Sequence, residues 1–203
     1  MSVCFGENVI PTRYTMNGKE NYPYTYAATL SARLWRKVCE NQVKVILFIV
    51  YTVNADMDAL TAYIQSFADI EGVVIKLEKA SSFGCVLQSQ LSRLYAYKEE
   101  EIMDNDLIII SDVDVFVSNI SILMPYKDDY NIYMPCYQYS IDQDQNFVMT
   151  LIGMTASNWR MILDDVEGSS EKYGIIHTLN STISGIMNET GMDSWDTDQV
   201  GCP

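Results

Sequence analysis

Basic residues are scarce in this chain of 203 residues: 13 Lys and Arg stand against 27 Asp and Glu, a formal net charge of -14. Binding a phosphate backbone needs clustered cations, so the balance argues against a duplex nucleic acid partner. A nucleotide ligand would require local cancellation of the negative charge, and a divalent metal held by carboxylates supplies that. Histidine is nearly absent, with His177 alone, and there is no Gly-x-Ser-x-Gly elbow, so serine hydrolase chemistry is excluded. Cys4, Cys39, Cys85, Cys136 and Cys202 form no Cys-x-x-Cys pair, which speaks against a structural zinc site or a thioredoxin-like motif. Their odd number leaves the redox compartment open.

Long apolar runs are also missing. The longest, Val43 to Val53, is too short to cross a bilayer, and the first thirty residues lack the basic and apolar blocks of a signal peptide. The expectation is a soluble chain with no membrane span. Cys4 to Tyr14 holds one glycine and one arginine, where a sugar nucleotidyltransferase would carry a glycine-rich, basic loop for a triphosphate. No internal repeat or low-complexity tract is present. Sequons begin at Asn119, Asn180 and Asn188 and point weakly to a secretory compartment, since chance alone gives roughly one or two.

What is present is an alternation of helical and strand patterns. Tyr26, Leu30, Leu34 and Val38 recur four apart, with Ala27 and Trp35 widening the stripe, which predicts a core-facing helix. Val43 to Tyr51 (VKVILFIVY) has little alternation and predicts a central parallel strand buried on both faces. Asp56 can cap a helix that places Met57, Leu60, Ile64 and Phe67 on one face, and Glu71-Gly72 leads into a strand from Val73 to Leu77. Ser81 or Ser82 opens a longer helix with Leu87, Leu91, Leu94 and Tyr95 toward the core and Lys98 to Glu101 solvated. Asp106 to Val117 (DLIIISDVDVFV) follows as a strand. Beyond Pro125, Tyr130 to Tyr139 and Phe147 to Met154 read as strands and Asn158 to Val166 as a helix. The class is α/β with a mainly parallel sheet flanked by helices and a mixed second half. We expect one domain over residues 1–203, a nucleotide-binding half at about 1–124 and an acceptor-side half at 125–203.

The chemistry sits at the end of the buried run Leu107 to Ile110, which passes into Ser111-Asp112-Val113-Asp114. Ligands of open α/β sheets bind at the carboxyl ends of strands. In extended backbone Asp112 and Asp114 point to one side, so both can approach one oxygen-coordinated cation such as Mn or Mg. As an isolated tripeptide, Asp-x-Asp is more often only the polar exit of a strand. The second such pair, Asp142 and Asp144, fails as a calcium loop, because its glycine slot falls on Phe147 and its last acidic slot on Gly153.

The order of Ser89-Gln90-Leu91-Ser92-Arg93, apolar strand, Asp-Val-Asp and a late Trp195-Asp196-Thr197-Asp198-Gln199 resembles the GT-A fold glycosyltransferases over roughly residues 40 to 200. The resemblance implies a Rossmann-like GT-A fold and transfer of a sugar from a nucleoside diphosphate donor, most commonly a UDP-sugar, to an acceptor hydroxyl on a glycan, protein or lipid. It makes Asp114 the leading ligand of a divalent metal, Mn2+ or Mg2+, and lets Asp112 contact metal, ribose or sugar. It places Arg93 toward the donor sugar or phosphates; the alternative is an ordinary surface arginine. Asp198 falls where the family keeps a carboxylate on the transferred sugar or the acceptor hydroxyl, a general base if the transfer inverts. Trp195 and Gln199 lie on the donor side of that segment, with Trp195 either stacking on a sugar or packing in the core. Asp144-Gln145 precedes the Phe147 strand and reads as loop, Tyr14 is a candidate base-stacking residue, and His177 reads as structural. Relatives continue past the point where this chain ends, four residues after Gln199, so a C-terminally incomplete domain or a catalytically inactive nucleotide- or carbohydrate-binding relative is the alternative expectation. In a eukaryote the resemblance implies the Golgi lumen, reached through an N-terminal anchor; otherwise the cytoplasm.

Overall fold

A computed structural model describes residues 1–5, 14–16, 19–21, 24–81, 85–119 and 151–163. It is a mixed α/β structure whose contacts divide it into two compact units: Met1–Cys85 with Asp112–Pro125, and Val86–Ser111 with Tyr126–Pro203. The expected strand at Tyr130 to Tyr139 lies outside the described residues.

The first unit is built on β1 (Ser2–Phe5), followed by the short strands β2 (Tyr14–Met16) and β3 (Lys19–Asn21), which pair antiparallel with each other. Helix α1 (Tyr24–Val38) leads to β4 (Val45–Tyr51), helix α2 (Met57–Gln65) and β5 (Val73–Lys79). The three longer-range strands form one parallel sheet in the order β1-β4-β5, Ser2 facing Phe48 and Val45 facing Val73 at the starts of the two ladders. The β-branched and aromatic run read as a central strand is therefore central among the described strands. Leu47, Phe48, Ile49 and Val50 are all fully buried. Each such side chain contributes about 1.5–3 kcal/mol of burial free energy, which is why this strand anchors the unit.

Helix α1 forms where the spacing predicts it, with Ala27 and Trp35 of the expected stripe buried, but its inward face is rotated away from Tyr26 and Leu30. Tyr26 is 62% exposed and Leu30 also faces solvent, while Ala27, Ala28, Ser31, Ala32 and Trp35 are buried. Small side chains let a helix lie close against a sheet, and the larger Tyr26 and Leu30 are pushed aside by that approach. The helix ends in left-handed backbone at Glu40 (φ 50) and Asn41 (φ 63), where Asn41 N–H donates to the Arg36 carbonyl at 2.8 Å. For α2 the predicted cap holds: Asp56 accepts from the backbone N–H of Asp58 at 3.0 Å and of Ala59 at 3.1 Å. Such a cap is worth about 1 kcal/mol. Leu60 and Phe67 are buried as expected, whereas Met57, in the first turn, is exposed.

Helix α3 (Cys85–Ser92) tightens into a 3-10 helix over Arg93–Lys98, and Ser82, one of the two expected starts, lies outside the described residues. Leu91, Leu94 and Tyr95 are buried as the stripe predicts, and Lys98 is exposed. In the second unit β6 (Leu107–Ser111) pairs antiparallel with β7 (Leu151–Thr155), Leu107 facing Thr155. Two corrections follow: β6 stops at Ser111 instead of running to Val117, and the pairing described for it is not parallel. Helix α4 (Ala156–Leu163) starts two residues before the predicted Asn158 and buries Trp159, whose indole N–H donates to the Ile108 carbonyl at 3.5 Å.

Candidate functional site

The paired carboxylates sit on a turn. Val115 N–H donates to the Asp112 carbonyl at 3.3 Å, so the backbone leaves extended conformation directly after β6. Val113 is buried, Asp112 is half-buried and Asp114 is exposed. The premise of an extended Asp112–Asp114 segment is thus replaced by a turn with its central valine pinned inside the unit. A further anchor comes from α1, where the Ser31 hydroxyl donates to the Val115 carbonyl at 2.9 Å. Ser31 is itself fully buried, so the exit of the turn is held from the protein side while Asp114 meets solvent. Nothing in the spacing of α1 identified Ser31; its signal was only a small polar residue between Leu30 and Ala32.

Two carboxylates two residues apart are oxygen donors of the kind that hard cations take, and the pair leaves coordination positions for phosphate oxygens and water. The donor set fits Mg2+ or Mn2+ in chemistry. Among the described residues no cluster of three or more His, Cys, Asp and Glu side chains gathers that would hold a metal by protein ligands alone.

Arg93 is 5% exposed, which corrects the reading of an ordinary surface arginine. It opens the 3-10 helix and belongs to the second unit. Gln88, Ser89 and Ser92 are buried along the same stretch, and the Ser92 hydroxyl donates to the Gln88 carbonyl at 2.8 Å. Burying polar groups is costly unless they are hydrogen-bonded, so this is a polar interior stripe and not an incidental surface. The sequence carried the signal: Gln88 with Ser92, and Ser89 with Arg93, each stand four apart. The leucine stripe on the same helix masks Gln88 as a site residue in the sequence. Trp195, Asp198 and Gln199 lie outside the described residues, as do His177, Asp142, Asp144 and Gln145. Tyr14 lies in β2.

At the carboxyl end of the parallel sheet, Thr52 N–H donates to the Phe5 carbonyl at 3.0 Å and Ala80 N–H to the Tyr51 carbonyl at 2.7 Å. The Tyr63 ring stacks on Phe5 with centroids 5.6 Å apart and meets Phe67 edge-on at 5.3 Å. The Tyr63 hydroxyl and Thr52 Oγ1 are sealed from solvent with no hydrogen-bond partner among the described residues. Sealed groups cannot touch a ligand, so both are costs of packing at this edge. Replacing Tyr63 by Phe is expected to leave stability unchanged or raise it by about 1 kcal/mol, read as a denaturant midpoint. Burial pushes the Tyr63 phenol above its ordinary range. The folded state therefore favours the neutral phenol; its contribution is intact below about pH 10, the unfolded value, and is lost as pH rises beyond it. The Phe variant should lack that part of the alkaline loss.

Searches of protein families, of curated proteins and of solved structures find no match to this chain.

Proposed function

We propose that the chain is a metal-dependent glycosyltransferase of the GT-A kind, moving a sugar from a nucleoside diphosphate donor to an acceptor hydroxyl. The observation that carries this reading is the Asp112-Val113-Asp114 turn. It follows directly an apolar strand whose last two residues, Ile110 and Ser111, are buried, is pinned by Val113 and Ser31, and leaves Asp114 facing water. A mere polar strand exit would not require a buried residue between the acids or an anchor on its far side. The mixed α/β architecture with its parallel sheet is compatible with this assignment, and the fold family is part of the proposal.

In this reading Asp114 binds the cation directly and Asp112 contacts cation, ribose or sugar. A bound Mn2+ or Mg2+ supplies electrostatic stabilisation of the departing diphosphate. The protein's own contribution is positioning: the turn presents oxygen ligands at a fixed place, so little reorganisation accompanies reaction. Arg93 is assigned to the donor phosphates and Asp198 to the acceptor hydroxyl, both on the family resemblance. A lumenal compartment such as the Golgi is part of the same proposal, supported by the exposed sequon residue Asn119 and by a disulfide in the first unit.

Calorimetric titration of UDP into the folded protein, with and without Mn2+, tests the reading. Binding that requires the metal, followed by slow hydrolysis of a UDP-sugar, supports a transferase. Metal-dependent binding without turnover on any donor favours an inactive nucleotide-binding relative. No metal-dependent binding of UDP or GDP removes the donor site altogether.

A further inference from the structure

Strand β1 is four residues long and lies at the edge of the described sheet, pairing with β4 alone among the described strands. Short edge strands fray easily, because few ladder bonds hold them and only one neighbour pairs with them. Yet Val3 and Phe5 are buried, and Phe5 carries the stack with Tyr63. Their docking completes this edge of the core. Cys4 lies between them and is bonded to Cys85, the first residue of α3, with the Cα atoms 5.5 Å apart at a sequence separation of 81. That separation is ordinary for a disulfide, so β1 is held without displacement of either backbone. The enclosed loop contains α1, β4, α2 and β5.

We propose that the Cys4–Cys85 bond is a redox-operated latch on strand β1. Oxidised, it keeps β1 docked against β4; reduced, β1 is retained by its short ladder, by the flanking bonds from Met1 N–H to the Ile46 carbonyl at 3.1 Å and from Thr52 N–H to the Phe5 carbonyl at 3.0 Å, and by two buried side chains, and it undocks locally while β4 and β5 stay paired. Closure proceeds by thiol–disulfide exchange with a small-molecule or protein disulfide. One cysteine thiolate attacks a sulfur of that reagent and expels the other sulfur as a thiolate. The second cysteine thiolate then displaces the remaining reagent thiolate and forms the Sγ–Sγ bond. The protein loses two electrons and two protons, and the reagent disulfide becomes two thiols. The third cysteine described, Cys39, is a buried free thiol, held above its ordinary pKa chiefly by desolvation, and takes no part. The latch is independent of any transferase activity.

The test is hydrogen–deuterium exchange of the full chain in oxidised glutathione and in dithiothreitol, after peptide mapping without reductant. Mapping should recover a peptide pair joined through Cys4 and Cys85. Reduction should then speed exchange at Val3 to Phe5 on the order of 100-fold, with Val45 to Lys79 unchanged. A Cys4→Ser, Cys85→Ser double variant should exchange like reduced protein under both conditions, and Cys39→Ser like wild type. Free thiols at Cys4 and Cys85 after oxidation would overturn the proposal. So would β1 exchange indifferent to reductant, or an equal rise across β4 and β5, which would make the bond a condition of the whole fold and not a latch.

Discussion

Asp114→Ala is expected to weaken manganese-dependent UDP binding by on the order of 100-fold or more, equivalent to about 2.7 kcal/mol, with no change in melting temperature. The expectation of unchanged stability follows from the exposure of Asp114, because an exposed side chain outside any cap or core contributes little to folding. Asp114→Asn separates charge from shape: if the carboxylate binds a cation, the amide loses nearly as much affinity as alanine, having exchanged a charged oxygen for an NH2 group. Asp112 is half-buried, and Asp112→Ala should weaken binding and also lower stability modestly. Asp69→Ala provides the control, since it removes an exposed acid of the same unit. Asp69 receives two hydrogen bonds from Arg33, at 2.8 and 2.9 Å, which hold its carboxyl below the usual range. Equal binding by wild type and Asp114→Ala, or binding indifferent to Mn2+, would separate the turn from any donor site.

The second large effect is structural. Gly72→Ala should destabilise the protein by roughly 3 kcal/mol, a fall in melting temperature on the order of 10 °C for a chain of this size. Gly72 has φ 75, a region that L side chains rarely occupy, and its missing Cβ is where the guanidinium of Arg36 lies. An added Cβ would stand 2.5 Å from Arg36 Cζ, 2.6 Å from Nη1 and 2.8 Å from Nη2. Arg36 is buried and cannot simply swing away, because Nη1 donates to the carbonyl of Asn41 at 2.7 Å and to that of Val43. Moving it would strip hydrogen bonds from a buried charge at the turn joining α1 to β4. The Gly72 carbonyl also accepts from Val45 N–H at 2.9 Å, so strain there passes directly into the β4–β5 ladder. A double-mutant cycle with Arg36→Ala separates the causes. The backbone share, about 1 kcal/mol, persists without the arginine, while the clash disappears. A Gly72→Ala protein as stable as wild type would refute both contributions.

Much of this fold is legible in the sequence. The alternation of strand and helix patterns, the buried run ending at Tyr51 and the Asp56 cap depend on neighbours within one or two turns of chain. Local spacing states them directly. The Asp-Val-Asp pair was equally visible, because a run of isoleucines followed at once by acids is a contrast in composition. Its conformation was not visible. The turn at Asp112 to Val115 depends on Val113 entering the core and on Ser31 reaching the Val115 carbonyl from 84 residues away.

The sequence by itself determined where α1, β4, α2 and β5 lie, that β4 would be buried on both sides, and that Asp112 and Asp114 would leave an apolar strand together. Only the tertiary structure decided which face of α1 turns inward, because a period of 3.6 allows neighbouring stripes and close approach to a sheet selects the small residues. It decided that β6 ends at Ser111 and pairs antiparallel with β7, since strand partners are chosen across some forty residues of chain and not by local pattern. It buried Arg93 among polar neighbours. It also joined Cys4 to Cys85, a pairing that spacing alone leaves open because only the folded backbone brings their Cα atoms within 5.5 Å.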